Sequence, residues 1–138
     1  QEIIDIIGAD KPAGTRTFGV TSGTYTSDQD QAFTLYFDRP TSVPIYITMT
    51  VTTDPDTFPT DGAESIKTAL VDYGDENFGI GKDVIHYKLY KPLEDIVGIV
   101  SIVLYIGFAS PATLAVNLTI NDDEVSFFDT TNIDLTVI

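Results

Sequence analysis

Between Val43 and Val51 the chain alternates with a period of two. Val43, Ile45, Ile47, Met49 and Val51 share one side, while Tyr46, Thr48, Thr50 and Thr52 share the other. Successive strand side chains point to opposite faces, so this pattern predicts a strand over residues 43–53 with one buried face. Such a strand needs neighbours in a sheet and a layer to cover its apolar row. At 138 residues, with 43% hydrophobic content and fifteen Phe and Tyr side chains, the chain can supply both. The length suits one domain, or two small subdomains sharing a core.

The rest of the pattern supplies candidate partners. Ile3, Ile4, Ile6 and Ile7, broken by Gly8, Pro12 and Gly14, read as the tail of a helix that starts upstream of Gln1. Residues 15–38 read as a hairpin. The Thr-rich stretch 15–26 is followed by the turn signal Ser27-Asp28-Gln29-Asp30, then by Phe33, Leu35 and Phe37 in alternation. After a loop at 54–59, Asp61 and Glu64 fit a capping box, and Ile66, Ala69, Leu70 and Tyr73 form a helical stripe stopped by Gly74. Asp83 is placed to cap a second helix burying Ile85, Leu89, Leu93 and Ile96, with Pro92 kinking it. Strands are expected at 99–108, with Val100, Ile102, Leu104 and Ile106 on one face, and at 114–120. Two more follow the Asn121-Asp122-Asp123 turn, at 125–128 and 133–137.

This order predicts an α+β fold, with helices packed on a mainly antiparallel sheet and a β-hairpin segment before it. Residues 1–40 are expected to end a middle domain and to contain the hairpin. Residues 41–138 are expected to form a C-terminal α+β domain of order β-α-α-β-β-β.

Twenty-one acids against seven bases give a net charge of −14. Such a surface repels phosphates and anionic lipid, so nucleic acid and membranes are excluded as partners. No apolar run approaches the roughly 20 residues of a membrane span. The absence of cysteine removes disulfides, thiolate zinc sites and cysteine nucleophiles. Glu2 and Asp5 stand where a signal peptide would be basic, and the start at Gln1 suggests an excised fragment or a processed product.

Catalytic signals are thin. His86 is the only histidine and reads as an ordinary helix position, without the partners a general base needs. Gly79-Ile80-Gly81-Lys82 lacks the spacing of a phosphate loop and reads as a turn. The pairs Asp54/Asp56 and Asp75/Glu76 and the cluster Asp122/Asp123/Glu124 could bind calcium or act in glycoside hydrolysis. None has EF-hand spacing, and solvated loops explain them more simply. Asn117-Leu118-Thr119 is a glycosylation sequon inside an expected strand. Phe33, Tyr36, Phe37, Tyr46, Tyr87 and Tyr90 could form a carbohydrate platform, but read first as packing. No catalytic, cofactor-binding or metal-ligating residue is assigned, and no enzymatic activity is expected.

An ordered series of short motifs goes further. Lys11-Pro12-Ala13-Gly14-Thr15 precedes Gly19-Val20-Thr21-Ser22-Gly23, and Phe37-Asp38-Arg39-Pro40 leads into Val43-Pro44-Ile45-Tyr46-Ile47. Phe58-Pro59-Thr60-Asp61-Gly62, Ile66-Lys67 and Val71-Asp72-Tyr73-Gly74 follow, then Gly79-Ile80-Gly81-Lys82-Asp83-Val84 and Leu89-Tyr90-Lys91-Pro92-Leu93. Glu124-Val125, Phe128-Asp129 and Asn132-Ile133 complete the series. Across nearly the whole chain it resembles the C-terminal part of the baseplate J-like family, wedge proteins of contractile phage tails and related injection machines. The family's usual V-P-G-V appears here as Ile96-Val97-Gly98-Ile99, without the proline.

The resemblance implies a structural subunit with no catalytic residues. It implies assembly with other wedge and hub proteins in a virion tail baseplate, built in the bacterial cytoplasm. The full-length protein would be oligomeric in the particle, and this portion monomeric alone. The alternative reading is a β-rich, calcium-assisted glycan-binding module. A wall hydrolase using two carboxylates is the third.

Overall fold

In the computed structural model the described residues are all but Ala13, so the Lys11–Thr15 motif is described except at that position. The chain divides into two compact units, Gln1–Arg39 and Pro40–Ile138.

In the first unit, α1 (Glu2–Asp10) packs on a hairpin of β1 (Thr21–Thr26) and β2 (Ala32–Phe37). A helix and a hairpin are both present, although the helix runs through the expected break at Gly8 to Asp10, and the first strand starts at Thr21 rather than 15. Ile4 and Leu35 are buried, whereas Ile3 and Ile6 face solvent. Glycine lets helix and sheet approach: a Cβ on Gly23 would lie 2.7 Å from Ile4 Cγ1.

The second unit is built around one long, interrupted strand. β3 (Thr41–Pro44) and β4 (Tyr46–Thr53) are joined through Ile45, which is buried and lies outside both. β4 is the centre of a three-stranded sheet of order β5-β4-β7, where β5 is Ile99–Gly107 and β7 is Ile133–Val137. It runs antiparallel to β5 and parallel to β7. β3 pairs in parallel with β6 (Glu124–Phe127). The Ile45 amide donates to the Phe127 carbonyl at 2.9 Å, carrying the ladder across the break. The stretch from β3 to β4 therefore runs beside β6 and then β7 in one direction. A three-residue 3₁₀ turn, Thr130–Asn132, takes up the change of register. Asp129 caps that turn. Hydrogen bonds from the Thr131 hydroxyl (2.5 Å) and amide (2.8 Å) hold its carboxyl below the ordinary aspartate value.

The α+β class is as expected, with α2 (Gly62–Asn77) and a 3₁₀ helix (His86–Leu93) packed against the inner sheet face. Several local expectations are corrected. The helix does not stop at Gly74 but runs to Asn77. Its buried stripe is Gly62, Ile66, Leu70 and Gly74, a strict i, i+4 row. Gly74 serves close approach: a Cβ there would run into the Phe128 ring, which stacks 5.9 Å from Phe78. The capping box is not formed, because the Asp61 side chain makes no cap hydrogen bond.

The second helix is 3₁₀ rather than α, and Pro92 lies inside it, where an α-helical ladder would require its missing N–H. Asp83 does not cap it. Its Oδ1 instead accepts from the Ile120 amide at 3.0 Å. In β5, pairing passes from Thr52–Ser101 to Thr53–Ile99, so Val100 is the extra residue of a bulge. The bulge turns Ile99 toward the core and leaves Val100 exposed, which corrects the expected inward row. Residues 114–120 form no strand. They make two isolated bridges, Ile106–Leu114 and Val84–Leu118, and Val116 is exposed.

Gly74→Ala separates two effects. Helix propensity alone would stabilise the protein by about 1 kcal/mol. The clash with Phe128 is expected to override this and to cost about 2 kcal/mol net, as overpacked cores do. Urea unfolding followed by circular dichroism reads the sign directly.

Candidate interaction surface

The alternation that buries one side of the three-stranded sheet presents the other to solvent. Ile47, Met49 and Val51 of β4, Leu104 and Ile106 of β5, and Ile133 of β7 are buried against α2 and the 3₁₀ helix. The opposite face carries cross-strand rows set by the register. Tyr105, Thr48 and Asp134 form one row, Val103, Thr50 and Thr136 the next, and Ser101 and Thr52 a third. Neither helix of the second unit packs on this side, and Val103 and Tyr105 are 49% and 38% exposed. At one end the loop after β5 folds back, where the Ala112 amide donates to Thr48 Oγ1 at 2.9 Å.

The face is almost uncharged. The second unit carries fifteen acids and four lysines, yet Asp134 is the single charge in these rows. Thr, Val and Tyr side chains and Ser101 fill the remainder. Apart from Asp134 no ionised group there has to lose its water, unlike the carboxylate-rich remainder of the unit, and the Thr, Ser and Tyr hydroxyls can exchange water for hydrogen bonds to a partner.

The outer edge of β5 is held by three devices. The Ile106 amide and carbonyl both bond to Leu114, at 2.8 and 3.1 Å. By antiparallel alternation, the Leu104 backbone points the same way. Its carbonyl accepts from His86 Nε2 at 2.8 Å, and the Val100 bulge bends the strand at its start. Because a carbonyl only accepts, Nε2 carries the proton. The His86 ring is braced edge-on by Tyr90 at 5.7 Å. His86 thus fastens the 3₁₀ helix to the sheet edge. Its sequence neighbours gave no sign of this, because the contact spans eighteen residues.

The other residues singled out in the sequence serve local structure. Asp54 Oδ1 accepts from the Asp56 amide at 3.0 Å, and Glu124 Oε2 accepts from the Asn121 amide at 3.0 Å, so these acids close turns. Asp75 and Glu76 lie exposed in the last turn of α2. The Gly79–Gly81 stretch is a turn in which the Lys82 amide bonds to the Gly79 carbonyl and the Gly81 amide to the Glu124 carbonyl. Asn117, of the sequon, accepts from the His86 amide through Oδ1 at 3.1 Å.

The six aromatics are divided: Phe33, Tyr36 and Phe37 belong to the first unit, and Tyr46, Tyr87 and Tyr90 to the second. Phe33 and Tyr36 point to opposite faces of β2, while Arg39 lies over the Phe37 ring at 5.5 Å. Among the described residues, no cluster of three or more His, Asp or Glu side chains is arranged to hold a metal. No helix among them is long and apolar enough to cross a membrane. No family model and no curated protein matches the chain.

His86→Ala removes the donor to the Leu104 carbonyl and is expected to destabilise the protein by about 1 kcal/mol. The Val103 and Tyr105 amides, which flank Leu104 and face β4, should then exchange faster than the rest of the sheet. An unfolding free energy within about 0.5 kcal/mol of the parent, with β5 exchange unchanged, would remove His86 from this role.

Proposed function

We propose that the chain is a structural assembly subunit, the C-terminal region of a wedge protein in a contractile-tail baseplate. The observation that carries the assembly reading is the uncovered, nearly neutral sheet face of an otherwise strongly acidic unit. The ordered motif series directs that reading to the baseplate J-like family.

An assembly subunit requires a rigid scaffold and a surface almost free of ions that would have to be desolvated, and the Thr, Val and Tyr rows answer to both. The acidic remainder keeps unassembled copies apart in solution. The partners on this reading are other wedge and hub proteins, at the tail baseplate of a particle assembled in the bacterial cytoplasm. The protein acts by contact and carries out no reaction.

Localisation tests it. Released particles are purified from induced source cells, labelled with antibody to this chain and viewed by electron microscopy. Label at the distal end of the tail, with peptides of the chain found in the particles by mass spectrometry, is the expected result. Intact contractile tails with neither label nor peptides would reject the baseplate role.

A further inference from the structure

The hairpin of the first unit leaves one edge of β2 without a strand beside it. At its turn the Ser27 amide donates to the Gln31 carbonyl at 2.9 Å. Antiparallel pairs alternate between those that exchange backbone bonds and those that do not. Counting from Ser27–Gln31, the pairs Tyr25–Phe33 and Gly23–Leu35 exchange bonds. Thr24–Thr34 and Ser22–Tyr36 turn their backbone groups outward. Two contacts agree with this count: Gln1 Nε2 donates to the Thr24 carbonyl at 3.2 Å on the β1 side, and the Tyr36 amide donates to Thr17 Oγ1 at 2.8 Å on the β2 side. The Thr34 amide and carbonyl therefore point out from the edge of β2 opposite β1, beside the Tyr36 amide that Thr17 occupies.

A cleft of about 560 Å³ lies along that edge, between β2 and the segment 15–19. Thr34, Phe33 and Tyr36 line it from the strand, and Lys11, Arg16 and Phe18 from the other side. Lys11 and Arg16 are two of the three bases in a unit with six acids, and no carboxylate lines the cleft. The Lys11 ammonium bonds to the neutral Thr15 carbonyl, and Arg16 is exposed. Phe18 is 81% exposed.

We infer that this cleft receives an extended acidic segment of another polypeptide, which adds to β2 as a third strand and sets its carboxylates against Lys11 and Arg16. Backbone bonds at Thr34 supply the pairing, the two cations choose the sign of the partner, and Phe18 and Tyr36 flank its side chains. A two-stranded hairpin gains stability from a third strand, which favours the bound state. The inference needs nothing from the baseplate reading, because it is tested on the isolated 138-residue chain.

The probe is an eight-residue peptide of alternating Thr and Glu, titrated into the ¹⁵N-labelled chain alongside its Thr/Lys counterpart. The Thr/Glu peptide is expected to shift the Thr34, Leu35 and Tyr36 amides, and the Thr/Lys peptide to leave them unmoved. Lys11→Gln with Arg16→Gln should weaken binding at least about fivefold, as loss of two partly exposed ion pairs does. Thr34→Pro removes an outward N–H, which an edge strand tolerates, and should abolish binding while the β1 amide shifts persist. No shift at Thr34 with millimolar peptide, or equal binding of both peptides, would overturn the inference. Undiminished binding by Thr34→Pro would overturn strand addition.

Discussion

The second unit depends on the burial of a single strand row. Ile47, Met49 and Val51 lie on the central strand of the β5-β4-β7 sheet, and each is essentially inaccessible to solvent. Burying an aliphatic side chain of this size contributes about 2 kcal/mol, so the row is a large fraction of a small domain's net stability. It also sets everything around it. Ile66 and Leu70 of α2 and Leu89 and Leu93 of the 3₁₀ helix belong to the same core. Gly74 leaves space for Phe128, which leads the chain from β6 toward β7. A slip of one residue in β4 would turn Thr48 and Thr50 inward and leave buried hydroxyls to be satisfied.

The same alternation produces the surface on which the functional reading rests. Because every second residue of β4 is committed to the core, the intervening Thr and Tyr residues must face outward, on the side away from α2 and the 3₁₀ helix. Charge is placed elsewhere, on α2 and in the turns. On the proposed assembly role, the neutral sheet face serves association and the acidic remainder keeps free copies apart. His86 adds a further constraint. By holding the Leu104 carbonyl it closes part of an edge that would otherwise invite strand pairing, which leaves the face rather than the edge as the open surface of β5.

Much of this was legible in the amino-acid order. Period-two alternation marked β4, the hairpin turn was announced by Ser27–Asp30, and the stripe through Ile66 and Leu70 marked α2. The failures share a cause: long-range contacts outweighed local signals. Gly74 reads as a helix stop, yet its role is set by Phe128, fifty-four positions away. Asp83 reads as a cap, yet its carboxylate is taken by the Ile120 amide. The bulge at Val100 reverses the face of Ile99 with no local mark. Residues 114–120 alternate as a strand does, but find a partner at only two points. The parallel pairing of β4 with β7 depends on where β6 and the Thr130–Asn132 turn deliver the chain, which no periodicity encodes. The outer face was half legible: the Thr row was visible, but not that both helices of the second unit pack on the opposite side.

The central claim is that the neutral sheet face is where this protein meets its neighbours in an assembly. A photo-activatable cross-linker placed at position 103 of the chain, expressed in the source cells, tests it most directly. A matched cross-linker at position 64, on the exposed acidic side of α2, serves as the control. Covalent products with other particle proteins from position 103, and none from position 64, are predicted. Products from position 64 alone would contradict the claim and move the interface to the acidic side.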